Sequence, residues 1–526
     1  MEDAGIGGQI AELVMLARVA FDEGRAGDAE TILQGLRTIT KTNTEVNVQL
    51  GLLLATRGAY QEALAPLEDA VILGEEDPIG FNVLSACAFE TGDYPAALDN
   101  ADRALRLRRT YAEAHNNRGN ALLRLGRSAE AIEAFTATLM LTPRDAEVHV
   151  NLANALEALE RPADALRSLE RALALEPKLA TAHVNRGNVL QRLGRHAEAV
   201  TAYDKAVALD PDSVDGHWNR GLCLLLCGDH AAGWRDYEWR WRRSVADCRP
   251  RNFAQPLWLG AEDLAGRTLL LHGEQGLGDC IQFARYVGQA AERGATVILE
   301  VYSTLAPLFA DLPGVTQLVR RGDSLPPFDL HCPLMSLPLA LGQLAPAADF
   351  PPYLSADAGR LAAWSERLGP KTAPRIGLVV SGSPTHGKDL QRSLAFETLV
   401  PHLPAGLEYH LLQKELRAAD RDALAARPDV RVWAEALDDF ADTAALAQLM
   451  DRVVSVDTSV AHLAGAIGRP TALLLPTDPD WRWGLSAAST PWYGGMQIYR
   501  QSRRGDWSEP LQRLTADLSA IPDAHP

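Results

Sequence analysis

Apolar and small positions follow two different rhythms along the 526 residues. In the first half the rhythm is set by small residues. Ala17, Gly51, Ser85, Gly119, Ala153, Gly187 and Gly221 stand 34 residues apart, and Ala29, Ala63, Ala97, Ala131, Ala165, Ala199 and Gly233 follow them by twelve. Small residues at two fixed phases let paired helices approach closely. Pro143, Pro177 and Pro211 recur at one phase and break the chain between pairs. In the second half, short apolar runs alternate with amphipathic stretches. The runs Leu269–His272, Thr296–Val301, Val315–Val319 and Phe328–Cys332 predict one series of strands. Arg375–Val380, Glu408–Leu412, Val430–Trp433, Arg452–Val456 and Thr471–Leu475 predict a second. Helices are expected between them: to about Arg293 from Asp279, near Leu305–Leu312, over Leu361–Leu368 as a bridge, and over Glu509–Leu518 crossing back to the first lobe. Such alternation predicts parallel sheets in two Rossmann-like lobes.

The 34-residue period and its small positions resemble the tetratricopeptide repeat over about residues 8 to 243. The resemblance implies a superhelix of helix pairs with a concave face. The expected fold class is therefore α followed by α/β, with boundaries at 1–248 for the repeats, 249–365 for the first lobe and 366–526 for the second. Asn117, Asn151, Asn185 and Asn219 share the period, two positions before the small residue of each first helix, and Asn120, Asn154 and Asn188 widen the stripe. Two residues turn a helix by about 200°, so the amides point away from the packed side. A column of amides can grip an extended peptide backbone whatever its side chains; the bland alternative is hydrogen bonding from repeat to repeat. The last repeat ends Trp234-Arg235-Asp236-Tyr237-Glu238-Trp239-Arg240-Trp241-Arg242-Arg243. Aromatics among basic residues could stack on nucleic acid, but the position favours an aromatic plug joining the array to the lobes. Arg249–Gln255 reads as a linker.

Two strand-end turns carry the candidate chemistry. The first is Leu269-Leu270-Leu271-His272-Gly273-Glu274-Gln275-Gly276-Leu277-Gly278-Asp279. Gly276 and Gly278 would let the backbone approach a ligand, and the helix start favours an anion. Asp279 stands where an N-cap is expected, yet a carboxylate there could also take a proton from a bound hydroxyl. His272 ends the strand and is either structural or catalytic. The second turn is Asp457-Thr458-Ser459-Val460-Ala461-His462. Thr458 and Ser459 would offer hydroxyls and N–H groups to a diphosphate, with His462 one turn further on; the plain alternative is a strand–helix turn. Ser381, Lys388 and Arg392 follow the first strand of that lobe, and Gln413 ends the next. Asp478-Pro479-Asp480-Trp481-Arg482-Trp483 carries a DxD, which the proline and indoles assign to a packed loop rather than to a metal.

The first turn with Gly276-Leu277-Gly278-Asp279, together with Asp457-Thr458-Ser459-Val460-Ala461-His462-Leu463-Ala464-Gly465-Ala466, resembles the heptosyltransferases of the glycosyltransferase-B fold. Repeats followed by two lobes resemble O-GlcNAc transferase and, more closely, the bacterial repeat-containing flagellin glycosyltransferases. The resemblance implies inverting, metal-independent transfer of a sugar from a nucleotide donor to Ser or Thr of a polypeptide held by the repeats, with flagellin the first acceptor to test. It assigns Asp279 as the base. Asp457, Thr458, Ser459 and His462 would hold the donor, and Arg392 or Lys388 would neutralise its leaving phosphate. The histidine motif of O-GlcNAc transferases is not evident. Two alternatives stand: a glycan or lipid-linked acceptor, and a scaffold whose lobes only sense a nucleotide.

Charge and composition narrow the partners. A net charge of −17 argues against nucleic acid and anionic membranes. No apolar run approaches the ~18 residues of a membrane span. Met1-Glu2-Asp3 opens no signal peptide, so a cytoplasmic location is expected. The six cysteines show no metal-binding spacing and are expected as buried thiols, and no cofactor is expected beyond the donor.

Overall fold

The computed structural model describes residues 2–73, 77–243, 250–347, 350–384, 387 and 389–522, with the side chains of 2–7 and 73 left aside. The chain divides into two compact units, Met1–Ser213 and Val214–Pro526. The first is a tetratricopeptide array of helix pairs. They are α1 (Glu2–Asp22) with α2 (Ala26–Ile39), α3 (Thr44–Thr56) with α4 (Tyr60–Leu73), α5 (Pro78–Glu90) with α6 (Tyr94–Leu107), α7 (Ala112–Arg124) with α8 (Ser128–Leu141), α9 (Ala146–Ala158) with α10 (Pro162–Leu175), and α11 (Ala180–Arg192) with α12 (His196–Leu209).

The small residues do what their spacing predicts. Ala29, Ala63, Ala97, Ala131, Ala165 and Ala199 are wholly buried. A Cβ on Gly51 would meet Leu67 at 2.3 Å, one on Gly119 would meet the Phe135 ring at 2.5 Å, and one on Gly187 the Tyr203 ring at 2.3 Å. Each glycine thus makes the space that a large residue of the second helix fills. Helices α8, α10 and α12 stop two residues before Pro143, Pro177 and Pro211.

The second unit opens with α13 (Val214–Cys227) and α14 (His230–Tyr237), the last helix pair of the repeat pattern, which packs on the lobes. In the first lobe β1 (Thr268–His272), β2 (Thr296–Val301), β3 (Val315–Arg320) and β4 (Leu330–Pro333) form a parallel sheet in the order β3-β2-β1-β4. Its helices are α15 (Leu277–Phe283), α16 (Val287–Glu292) and α17 (Leu337–Leu341). The long helix expected from Asp279 to Arg293 is broken by a 3-10 turn at Ala284–Tyr286, and the stretch near Leu305–Leu312 holds only the 3-10 turn Ala306–Phe309. In the expected linker Arg251 pairs with Glu300, and just beyond it Leu257 bridges to His331, so the chain here is tied to the first sheet.

The second lobe has a seven-stranded sheet in the order β10-β11-β9-β8-β5-β6-β7. Its strands are β5 (Arg375–Val379), β6 (Glu408–Leu411), β7 (Val430–Val432), β8 (Arg452–Val456), β9 (Thr471–Leu475), β10 (Ser489–Thr490) and β11 (Tyr493–Arg500). All neighbours are parallel except β10 with β11, and these two strands carried no sequence signal. Helices α18 (Ala358–Leu368), α19 (Asp389–Arg392), α20 (Phe396–Leu399), α21 (Ala418–Ala425), α22 (Phe440–Gln448), α23 (Ser459–Ala466) and α24 (Ser508–Ser519) complete the lobe. Helix α24 does not return to the first lobe. Leu511, Leu514 and Leu518 join the core under β5, β6 and β8, and Thr515 donates to the His402 carbonyl at 2.9 Å. Cys87, Cys223, Cys280 and Cys332 are buried thiols, whereas Cys227 is exposed, contrary to expectation. Cys248 lies outside the described residues. Among the described residues no helix is long and apolar enough to cross a membrane.

Candidate functional site

The turn after β1 is held by the end of the last helix pair and by the 3-10 turn Glu238–Arg242 that follows it. Arg240, fully buried, donates to Glu274 at 2.9 and 3.0 Å, to Glu238 at 2.7 Å and to Ser336 at 2.7 Å. Burial works against the Arg240 charge, but Glu274 and Glu238 more than offset it and raise its pKa. Gln275 donates to the Tyr237 hydroxyl at 3.2 Å. Trp234 stands edge-on to Phe283 and to Trp481, with ring centroids 5.7 and 5.2 Å apart, and its indole N–H donates to the Leu344 carbonyl at 2.9 Å. The aromatic cluster is therefore a plug, and it grips the loop that carries the candidate chemistry.

At the start of α15 the N-cap is Gly276, three residues before Asp279. The Gly276 N–H donates to Asp279 Oδ2 at 2.7 Å. This corrects the expectation that Asp279 itself caps the helix: it is the reaching-back acid of a capping box, which needs a carboxylate in the first turn. Its other oxygen, Oδ1, accepts from Arg482 of the second lobe. Gly278 also has a different role from the one its spacing suggests. A Cβ there would lie 2.9 Å from His462 Cδ2 and 3.4 Å from the Ser459 Cα. The glycine makes room for α23, so the two strand-end turns abut directly.

On the second-lobe side, Thr458 is the N-cap of α23, and its hydroxyl lies 3.2 Å from that of Ser455. His462 is buried, shares a 2.9 Å hydrogen bond between Nδ1 and the Tyr493 hydroxyl, and stacks on Trp483. Burial, with Arg482 and Arg285 nearby, holds its pKa well below the usual histidine value, so it is neutral. Asp457 closes β8. Burial and the neighbouring Asp480 push its carboxyl up to about 6, opposed by the Trp483 indole, Arg482 and Arg392. Arg392 donates to the Asp457 carbonyl at 3.1 Å and lies over Gly382, where a Cβ would meet its Nη2 at 2.4 Å.

The remaining predicted residues divide. Ser381 and Gln413 are brought together and bonded to each other at 3.0 Å. The Gln413 amide also accepts from Val380 N–H at 2.8 Å and donates to the Glu415 carbonyl at 3.0 Å, so it sews the ends of β5 and β6 together. Lys388 lies outside the described residues. His272 is buried against Phe253 and shares a 3.2 Å hydrogen bond with His331. Burial first, then His331 and Arg251, lowers its pKa to about 3. The asparagine stripe bonds along the array: Asn117 donates to Asn82 at 2.9 Å, Asn151 to Asn116 at 3.2 Å and Asn185 to Asn154 at 3.0 Å. Asn188 accepts from Tyr203 at 2.8 Å, and Asn120 is half-buried beside these. Asn219 belongs to α13, in the second unit.

Arg482 joins the two turns, and spacing along the chain missed it. The signal was present: Trp239-Arg240-Trp241 and Trp481-Arg482-Trp483 are the same triplet, and each buries its arginine. The DxD acids serve this residue in part, since Asp480 accepts from Arg482 Nη1 at 2.7 Å and from its backbone N–H at 3.1 Å.

Comparison with known proteins agrees with the repeat assignment. Tetratricopeptide-repeat families match residues 88–146, 150–214 and 185–237, and separately 13–34. Protein FlbA of Caulobacter vibrioides is 27% identical over 318 residues, which covers 54% of this chain and 52% of FlbA. The match therefore spans about half the length of that relative. Among solved structures, a tetratricopeptide repeat protein from Parabacteroides merdae aligns over 45% of this chain and 94% of its own at 17% identity, with a TM-score of 0.40. A thermophilic TPR protein of Thermus thermophilus aligns over 35% and 100% at 24% identity, with a TM-score of 0.32.

Proposed function

We propose that the chain is a protein O-glycosyltransferase of the glycosyltransferase-B type, moving a sugar from a nucleotide donor to Ser or Thr of a polypeptide acceptor. The observation that carries this reading is the abutment of the two turns. The starts of α15 and α23 come from different sheets, yet Gly278 lies against His462 and Ser459, and Arg482 joins Asp279. Carboxyl ends of parallel strands facing one another are the usual ligand crevice of open α/β sheets. In the proposed reaction Asp279 takes the proton of the acceptor hydroxyl as it attacks the anomeric carbon, and the nucleotide diphosphate leaves. Arg392, the start of α23 and neutral His462 stabilise the departing phosphate. Asn151 and Asn185 each donate one bond between repeats, and the Asn117 amide donates to both Asn82 oxygens. An amide has a second hydrogen and a carbonyl oxygen to offer a peptide backbone.

Transfer from a panel of nucleotide sugars to flagellin, with the intact chain and with Asp279→Ala, tests the reading. A fall of roughly 100-fold or more is expected on losing a general base. Equal transfer by the two forms would remove Asp279 from the mechanism. One observation favours a second reading, a scaffold with nucleotide-sensing lobes: Asp279, Ser381 and Gln413 are all engaged by other protein groups. Donor hydrolysis without acceptor separates the two, since a scaffold turns over no donor. Deleting residues 1–213 separates acceptors: an enzyme for glycan or lipid-linked acceptors keeps transfer, and a peptide-guided one loses it.

A further inference from the structure

Arg482 is bonded on three sides. Nη2 donates to Asp279 Oδ1, Nη1 to Asp480 Oδ1 at 2.7 Å, and Nε to Gln282 Oε1 at 2.6 Å. Two of those partners, Asp279 and Gln282, stand on α15 of the first lobe, and the arginine itself stands on the loop after β9 of the second. Its charge also reaches Asp457 and His462, the residues at the start of α23. The guanidinium thus sits among the very groups proposed to surround the donor phosphates, but with its charge already matched by two carboxylates.

The two oxygens of Asp279 have separate partners. Oδ2 takes the Gly276 N–H and fixes the carboxylate to the helix start, while Oδ1 takes Arg482. Withdrawal of the arginine would leave Asp279 oriented by the backbone. Asp480 is likewise tied to the Arg482 backbone N–H at 3.1 Å, independently of the guanidinium. Guanidinium groups bind phosphate oxygens through the same two-pronged geometry they use for carboxylates, so a diphosphate can take over the bonds that Asp279 releases.

We propose that Arg482 is a ligand for the donor's diphosphate, held in reserve by Asp279, and that its transfer to the phosphate turns Asp279 Oδ1 toward the acceptor hydroxyl. The proposal rests on the glycosyltransferase reading above. It makes the base available only when donor is bound.

The test is calorimetric binding of inorganic pyrophosphate to the full chain and to Asp279→Asn, Arg482→Gln and the double variant. Asp279→Asn keeps the shape and removes the competing charge, so pyrophosphate should bind about tenfold tighter than to the unaltered chain. Arg482→Gln should bind about tenfold weaker, and in the double variant the gain from Asp279→Asn should vanish. Arg482→Lys, which keeps the charge without the fork, should fall between. If Arg482→Gln does not fold, the Asp279→Asn arm decides alone. Pyrophosphate binding that ignores Asp279→Asn, or that survives Arg482→Gln in folded protein, overturns the reserve while leaving the donor site in place. No binding of pyrophosphate or of any nucleoside diphosphate by any form would instead refute the donor site, and this inference with it.

Discussion

Glu160 breaks a pattern that six glycines keep. Gly24, Gly58, Gly92, Gly126, Gly194 and Gly228 share one phase of the repeat, close the turn between paired helices, and all have φ between 73° and 89°. Glu160 stands at the same phase with φ 56°. A side chain in left-handed backbone costs about 1–2 kcal/mol. Glu160→Gly should therefore raise stability by about 1 kcal/mol, less the glycine entropy it adds to the unfolded chain. Gly126→Ala should lower it by a similar amount; thermal melts of the two variants check both signs. His272 carries a pH dependence. Its pKa is near 3 when folded and ordinary when unfolded, so the unfolded chain binds the extra proton between pH 6.5 and 3. Stability contributed by the neutral form is complete above pH 6.5 and falls as the medium is acidified. Between pH 7 and pH 5 this residue should cost about 2 kcal/mol. His272→Phe should flatten denaturant midpoints over that interval by a comparable amount, and an unchanged slope would contradict the assignment.

Elements here are positioned by a few close approaches. The pairing of α7 with α8 rests on Gly119 lying under the Phe135 ring, and that of α11 with α12 on Gly187 under Tyr203. Gly187→Ala should cost about 1–3 kcal/mol through overpacking, whereas Gly27→Ala, with open space around it, should not. The loop from β1 to α15 depends on Arg240. Arg240→Met would leave Glu274 buried beside Glu238 without its cation, a loss of about 3–5 kcal/mol by the usual cost of breaking a buried pair. Hydrogen exchange should show the loop 273–279 opening first. The 34-residue period made the array legible residue by residue, because each helix meets its neighbours through positions that recur. β10 and β11 were not legible: glycines, aromatics and Gln497 give β11 no clean alternation, and it is a strand because it lies along β9.

At the scale of the molecule, the last helix pair belongs with the lobes. Residues 214–243 carry the repeat phase in sequence, yet Trp234, Tyr237 and Arg240 are buried against Phe283, Met335, Ser336 and Trp481. A fragment beginning at residue 214 should therefore fold cooperatively. One beginning at residue 250 should expose Phe283, Trp481 and the Glu274 carboxylate, and aggregate or melt at least several degrees lower. Circular dichroism melts and size-exclusion profiles of the two fragments check this.

The sequence by itself determined the local elements, because a fixed helical phase and short apolar runs need only nearest neighbours to be read. It also marked the two strand-end turns, since a run of buried residues that stops at glycine or at Asp-Thr-Ser announces its own end. Only tertiary structure decided what those turns touch. That Gly278 yields to His462, that Asp279 answers to an arginine 203 residues away, and that the Asn117 amide turns to a neighbouring repeat are contacts between distant segments. Spacing along a chain carries no information about such pairs, because they are chosen by packing, burial and the need to match every buried charge.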